Sequence, residues 1–479
     1  MNRRKSTALA LVFLGIALIV FAAYASWLGA AYQAAIAIIA MIAIGMAIKS
    51  TLKLHGGYGF YMIGGKSGIG AIDRISKKHP KLWEAFASWG LTMGLGILTY
   101  FILKGRIDKR VFALGVASAV LIFVFVLPYT YMGLSFINVP QLQSEVAARS
   151  QQPVSYFYSY IILAILAIAG FAGYVISIII YSAGLIMARL AHILYSISIG
   201  VHSTQGFQNL ISALPIIPGI DLPLLAGLFS LAILLIIHEF SHGILARIFK
   251  VKLKSIGVLL FGIIPIGAFV EPDEQMVKRL SAQKQTSIFA AGISANFVAT
   301  LVFFALTMLM VLAIQHVLTY SVVITSTMAG YPANNIIAPG TIVYSWDGHI
   351  VNSTSTLESA AAQDKPGSIV SLVTNKGAYN IKAIADPTNS SRGLIGVELA
   401  LKPNTTTPVA KTAYFLYMLF ALSMLLNFLV AVVNLLPIPG FDGWQIFNAN
   451  TKSKRALNAL AAVTLIAFVI NFIPLVTFL

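Results

Sequence analysis

The chain contains no cysteine. That absence excludes disulfides, thiolate metal sites and cysteine nucleophiles together. Charge is nearly as scarce, since only 10% of the 479 residues are Asp, Glu, Lys or Arg. A soluble globular domain carries about 25%, so water is not the solvent for most of this chain. Acidic residues number 15 against 32 basic ones. The basic excess gathers in short clusters between apolar runs, at Lys49–Lys53, Arg74–Lys81 and Lys104–Arg110. Positive charge placed there sets topology and meets anionic headgroups. No nucleic-acid recognition motif accompanies it, so no nucleic-acid partner is expected.

What is abundant is apolar sequence, at 58% of residues. Nine runs approach or exceed the ~20 residues needed to cross a hydrocarbon core: Thr7–Tyr24, Trp27–Ile48, Phe86–Leu103, Val111–Leu127, Tyr156–Ala188, Leu222–Phe249, Ser287–His316, Thr412–Leu436 and Ala456–Leu479. The first follows Arg3, Arg4 and Lys5 and reads as an uncleaved span. The run from Tyr156 suits one strongly tilted helix or two short ones. The glycine-rich stretch Gly56–Ile72 is expected to dip into the membrane without crossing it.

One stretch has a different character. Between Ser321 and Val409 the chain is rich in Ser, Thr, Asn and Gly and alternates in strand-like runs, such as residues 340–345 and 368–374. Asp347-Gly348 is a hairpin turn signal. This predicts a small β-rich domain of residues 321–409. It divides the chain into an N-terminal multi-span region (1–200), a second membrane region (201–320), the insert, and a last membrane region (410–479). All three Asn-X-Ser/Thr acceptors, at Asn352, Asn389 and Asn404, fall in the insert. Either they mark exposure to a glycosylating compartment, or a Ser/Thr/Asn-rich segment generates them by chance. Lys250, Lys252, Lys254, Lys278, Arg279 and Lys284, and then Lys452, Lys454 and Arg455, place the loops on either side of the insert in the cytoplasm. The insert is then expected outside. The fold class expected is a polytopic all-α protein of a cell membrane, with about nine spans and the inserted β-rich domain.

Within the run Leu222–Phe249 stands HEFSHG at residues 238–243. Residues four apart share a helix face, so His238 and His242 can direct two imidazoles at one metal. Glu239 is placed to take a proton from water activated there. Two His and a Glu inside an apolar span are costly unless they act together. Zinc needs a third protein ligand and one open position for hydrolytic chemistry. Asp442 lies in NLLPIPGFDG, residues 434–443, where Pro437 and Pro439 end a helix. Taken alone, that segment is either an ordinary helix-terminating loop or a turn back towards the metal.

Together, HEFSHG, the following GISAN at 292–296, and NLLPIPGFDG, in this order within apolar spans, resemble the site-2 protease family of intramembrane zinc metalloproteases. The resemblance covers roughly Leu222 to Leu479. It implies one Zn²⁺ held by His238, His242 and Asp442, with Glu239 as catalytic base and Asn434 as a second catalytic group contacting the substrate carbonyl or backbone. Many bacterial members read Asp-Gly-Gly where this chain has Asp442-Gly443-Trp444. The insert is similar to a PDZ domain of that family, through AGYPA at 329–333, Asp347-Gly348 and Lys365-Pro366-Gly367. The segment 256–271, interrupted by Gly257, Gly262, Pro265 and Gly267, reads as a hairpin or re-entrant loop, and in the family resembles one that pairs with unwound substrate. Asn296, Gly267 and Phe269 are candidates for substrate contact.

The implied activity is hydrolysis of peptide bonds within or near the transmembrane segments of membrane-protein substrates. His238 lies 11 residues before Phe249, about 16 Å along a helix, which puts the zinc in the cytoplasmic half of the bilayer. Two other classes remain as alternatives. A metal or proton transporter would spread polar residues through paired repeats, whereas here they concentrate in three C-terminal spans. A non-proteolytic receptor on a protease scaffold would tolerate loss of Glu239 or Asp442, and both are present. The acidic group Glu271, Asp273 and Glu274 reads as a solvated loop or as a substrate gate. The N-terminal region carries no comparable constellation.

Overall fold

The computed structural model describes residues 3–24, 30–136, 156–199, 222–262, 264–387 and 389–474. The start of the run at Trp27, the division at residues 200 and 201, and the chain beyond residue 474 lie outside them. Two compact units result, residues 1–306 with 418–479, and residues 307–417.

The larger unit is mostly helical. Its elements in chain order are α1 (Arg3–Tyr24), α2 (Ala30–Leu52), β1 (Gly56–Gly57), β2 (Phe60–Gly65), α3 (Ile69–Ser76), α4 (Pro80–Leu95), α5 (Leu98–Ile102), α6 (Lys109–Leu121), α7 (Tyr156–Ser198), α8 (Leu224–Ile248), β3 (Leu253–Phe261), β4 (Ile264–Pro272) and α9 (Glu274–Arg279). Helix α10 (Ala282–Val317) runs out of it, α12 (Pro408–Val433) runs back in, and α13 (Asp442–Asn450) and α14 (Lys454–Ile470) follow. Among the described residues, five helices are long and apolar enough to cross a membrane: Lys109–Leu134, Tyr160–Ser198, Leu224–Ile248, Ala282–Val317 and Pro408–Val433.

The expected span Phe86–Leu103 does not form as one helix. Gly96 takes φ 54° and separates α4, of 16 residues, from α5. Helix α7 is likewise two segments in tandem, kinked at Gly170 with φ 61° and ψ −159°. These two breaks pack against each other: Ile97 N–H donates to Ala167 O at 3.0 Å. A Cβ on Gly96 would lie 2.5 Å from Ala167 O, and one on Gly170 would overlap the backbone of Gly94. Irregular backbone at membrane depth survives only where other protein groups satisfy it, and here each break serves the other. Helices α1 and α2 have 22 and 23 residues and carry the apolar stretches Val12–Phe21 and Ile36–Leu52, and α14 has 17 residues.

A four-stranded antiparallel sheet, ordered β1-β2-β3-β4, interrupts the helical plan. The segment 256–271 does form a hairpin, β3–β4. The stretch Gly56–Ile72, which does not cross as a helix, extends that hairpin. Phe60 to Gly65 pair with Phe261 to Ile256, and α3 follows. The all-α expectation therefore fails at this point, because short glycine-rich strands find their hydrogen bonds only on a partner two hundred residues away. The core of this unit mixes the two halves of the chain. Phe171 of α7 sits 5.5 Å from Phe297 of α10 and 5.4 Å from Phe428 of α12, ring centre to ring centre.

The smaller unit holds β5 (Tyr320–Thr327), β6 (Ile342–Trp346), β7 (His349–Ile350), α11 (Thr354–Ala361), β8 (Ile369–Thr374), β9 (Gly377–Lys382), β10 (Ile384–Ala385), β11 (Gly393–Leu394) and β12 (Val397–Pro403). Its main sheet runs β12-β5-β6-β8-β9, with β7 on β6. Asp347 (φ 48°) and Gly348 (φ 78°) make the tight turn between β6 and β7, the left-handed pair that such hairpins require. Val322, Ile324, Val343, Trp346, Val370 and Leu372 form a core of its own.

Candidate metal centre

Helix α8 starts after Pro223 and is apolar on nearly every face, so its His-Glu-His group is held at mid-helix by packing rather than by water. The imidazoles of His238 and His242 face each other with Nε2 atoms 3.1 Å apart. Asp442 Oδ2 lies 3.2 Å from the first and 3.3 Å from the second. Among the described residues these three form the only group of His, Cys, Asp or Glu with metal-ligand spacing.

Two features bring Asp442 to this point. Helix α12 ends at Val433, and Gly440, with φ 104°, helps the proline-rich loop turn back. Gly443 N–H then donates to Asn434 O at 2.6 Å, closing the loop. A side chain at residue 443 would strike the carbonyl of Leu435, so the loop needs glycine there. Trp444 sits half-buried in the first turn of α13 and leaves the carboxylate aimed at the imidazoles.

The donor set fits a divalent cation. His242 Nδ1–H donates to Ile288 O at 2.7 Å, which leaves the Nε2 lone pair free to point at Asp442. His238 Nδ1 lies 3.0 Å from the Asn296 amide. An Nδ1–H requires an acceptor, and Asn296 Oδ1, fully buried and otherwise without a partner, supplies it when the amide oxygen faces the ring. Two Nε2 lone pairs and a carboxylate oxygen then converge, and Asp442 Oδ2 has no hydrogen bond of its own. Such an arrangement repels itself unless a cation or shared protons occupy its centre.

Helix α10 passes close enough to touch these atoms. A Cβ on Gly292 would overlap His242 Nε2 and lie 2.7 Å from His238 Nε2. Gly292 and Asn296, four residues apart, therefore present one face of α10 to the pair of imidazoles. Asn296, named above as a candidate for substrate contact, is fully buried beside His238. Its burial in a dense helical core could not be read from residue type alone.

Glu239 accepts a hydrogen bond from Val270 N–H at 3.1 Å. That bond identifies the open side of the hairpin. Because Val270 points its N–H at Glu239 and not at β3, its backbone groups, with those of Ala268, lie on the free edge of β4. Gly267 faces Leu259 across β3–β4. The Phe269 ring lies over Gly257 and Gly64, with its tip 2.7 and 3.1 Å from where their Cβ atoms would be. Asn434 contributes its carbonyl to the loop, and its half-buried side chain makes no hydrogen bond among the described residues. The acidic group after β4 has local duties. Asp273 caps α9 through the N–H groups of Gln275 and Met276, Glu271 accepts from Ser255 Oγ at 2.6 Å, and Glu274 pairs with Lys278 at 3.4 Å.

The sequence profile of peptidase family M50, the site-2 protease family, matches residues 226–477, which include every residue of this centre. The chain belongs to peptidase family M50. An uncharacterized protein of Methanocaldococcus jannaschii is 29% identical over 235 residues, covering 48% of this chain and 58% of that one. The chain thus spans somewhat over half the length of that relative. M50 members are zinc metallopeptidases, and apolar helices of membrane length suit a membrane enzyme of this family.

The N-terminal half lies outside the M50 match yet packs on the helices and loop that carry the centre. Asp73 of α3 pairs with Arg247 of α8 at 2.5 Å. A Cβ on Gly90 of α4 would overlap Ser294, and one on Gly94 would press on Leu435. Neither contact has a signature in the sequence, because the small residues of α4 are meaningful only once their neighbours are known.

Proposed function

We propose that this M50 chain is an intramembrane metalloprotease that hydrolyses peptide bonds within or near the transmembrane segments of other membrane proteins. The observation that carries this reading is the convergence of His238, His242 and Asp442 on one point, with Glu239 one residue along the same helix. One zinc ion would be held by those three side chains. When bound, zinc acts as a Lewis acid and brings water within reach of deprotonation near neutral pH.

The residues of the chain do the rest. The Glu239 carboxylate takes the proton from the attacking water and returns it to the leaving amine. The amide of Asn434 is available for the substrate carbonyl or backbone. A transmembrane helix conceals its carbonyls in its own hydrogen bonds, so substrate must be presented extended. The outer edge of β4, where Val270 N–H engages Glu239, presents the Val270 carbonyl and the backbone groups of Ala268 to that form. Residues 307–417 form a compact β-rich unit, in the reading a PDZ-like domain facing outside, with the zinc towards the cytoplasm and products released there.

Replacing the base separates binding from chemistry. Glu239→Gln in the full chain, reconstituted with a membrane-spanning substrate, is expected to keep about one zinc per chain and to lose cleavage by two orders of magnitude or more. Full activity in that variant eliminates the mechanism.

A further inference from the structure

Which residue side chains of a substrate does the enzyme read? The hairpin β3–β4 has two edges, and the outer edge of β3 is occupied. Strand β2, from the N-terminal region beyond the M50 match, pairs with it over six residues. Of the two edges of the hairpin, an added strand can therefore align only with that of β4, next to Glu239.

One face of this sheet packs on α8, where Val270 approaches Gly243. The opposite face carries Met62, Leu259, Gly267, Phe269 and Glu271, in register across the three strands. A cavity of about 460 Å³ opens on that second face. Met62, Phe269 and Phe289 give it apolar walls, and Gln285, Gln445 and Asn448 set amides among its lining. Glu271, Glu274 and Lys278 add charged groups on one side of it. Three of its lining residues are linked to the metal centre. Val270, also in the lining, binds Glu239; Phe289 follows Ile288, which binds His242; and Gln445 stands one turn beyond Asp442.

Resting on the protease reading above, we infer that this cavity is a specificity subsite for one bulky apolar side chain of the substrate, and that Met62 of the N-terminal region shapes it. The register supports this. Side chains of a strand added to β4 alternate between faces. The residue opposite Val270 turns its side chain towards α8, and its immediate neighbours, opposite Phe269 and Glu271, turn theirs to the cavity side. The subsite therefore reads a residue close to the scissile bond. Its mostly apolar walls favour Leu, Phe or Trp, and the amides of Gln285, Gln445 and Asn448 suit the polar backbone of an extended segment. The N-terminal region thus shares in substrate selection, by blocking one sheet edge and supplying one wall of the subsite.

The test uses the full chain in proteoliposomes with reporter substrates sharing one transmembrane segment. Each position within three residues of the mapped cleavage site carries Ala, Leu, Phe or Trp in turn. The wild type is expected to prefer a bulky residue at one such position by about tenfold in kcat/KM, mainly through KM. Met62→Trp, which fills the cavity, reverses that preference towards Ala at the same position only. Met62→Ala, which enlarges it, shifts the preference towards Trp. Zinc content is measured in all three proteins and is expected to be equal. A wild type without preference at any position overturns the subsite, as do wild-type profiles in both variants at equal zinc. If zinc-loaded wild type cleaves no reporter while remaining folded, the protease reading falls first and takes the subsite with it.

Discussion

Asn296 offers the sharpest test of the metal centre, because its replacement should act on metal affinity alone. His238 must carry its proton on Nδ1 for Nε2 to bind a cation, and the adjacent Asn296 amide, whose Nδ2 stands 3.0 Å from Nδ1, accepts that proton when its oxygen is turned to the ring. Asn296→Leu keeps the branched shape and the number of side-chain heavy atoms and removes the acceptor. Without metal, the imidazole moves its proton to Nε2, where the Asp442 carboxylate accepts it at 3.2 Å. With metal bound, the Nδ1–H is buried without a partner. The cost of such an orphaned group, about 1–3 kcal/mol, therefore falls entirely on the bound state. It corresponds to a loss of zinc affinity on the order of 5- to 150-fold, in line with the 10–100-fold usual for such outer partners. The assay is competition against a zinc chelator, with helix content followed in parallel. Asn296→Asp, which keeps an oxygen facing Nδ1, should recover most of the affinity. A Leu variant that binds zinc within twofold of wild type refutes the argument. An unchanged affinity with a raised KM would return Asn296 to the role of substrate contact.

Gly292→Ala should lower zinc stoichiometry although alanine favours a helix by about 1 kcal/mol over glycine, since the new methyl overlaps His242 Nε2; a fully zinc-loaded variant would contradict the geometry. Asp442→Asn removes the only carboxylate of the set and should reduce zinc occupancy below detection in the same chelator competition, with α8 still folded. In the smaller unit, burial and the neighbouring Asp347 carboxylate raise the Asp364 pKa from 3.8 to about 6, while its hydrogen bond from Trp346 Nε1 at 3.0 Å opposes the shift. A raised carboxyl binds protons more tightly in the folded state, so stability is lost as pH climbs from near 4 through 6. After allowance for solvent screening, the loss is about 1–2 kcal/mol. Chemical unfolding of wild type and Asp364→Asn should differ by that amount at pH 8 and coincide below pH 4, and a difference independent of pH would reject the assignment.

Much of this site was legible in the residues themselves. His238, Glu239 and His242 stand out because two imidazoles and a carboxylate in an apolar run have few other uses, and the i, i+4 spacing needs only a helix. Asp442 needed more. The two prolines predict that a helix ends, but not which way the chain then turns. The hydrogen bond from Gly443 to Asn434 O settles the direction. The Asp347-Gly348 hairpin and the runs near β6 and β8 were readable for a local reason, because turn conformation and alternation are properties of a few adjacent residues.

The span count and the sheet were not readable in the same way. Apolar content alone cannot distinguish the continuous α8 from the broken α4–α5, since the interruption at Gly96 is compensated by Ala167, seventy residues on. Strand β2 belongs to a hairpin two hundred residues away, and Met62 reaches the cavity it lines with Phe289 and Gln445 only through that pairing. Chemistry was determined by the sequence because costly groups in oil announce themselves. What surrounds and restricts that chemistry was decided by tertiary structure, because close packing depends on which distant small residues happen to meet.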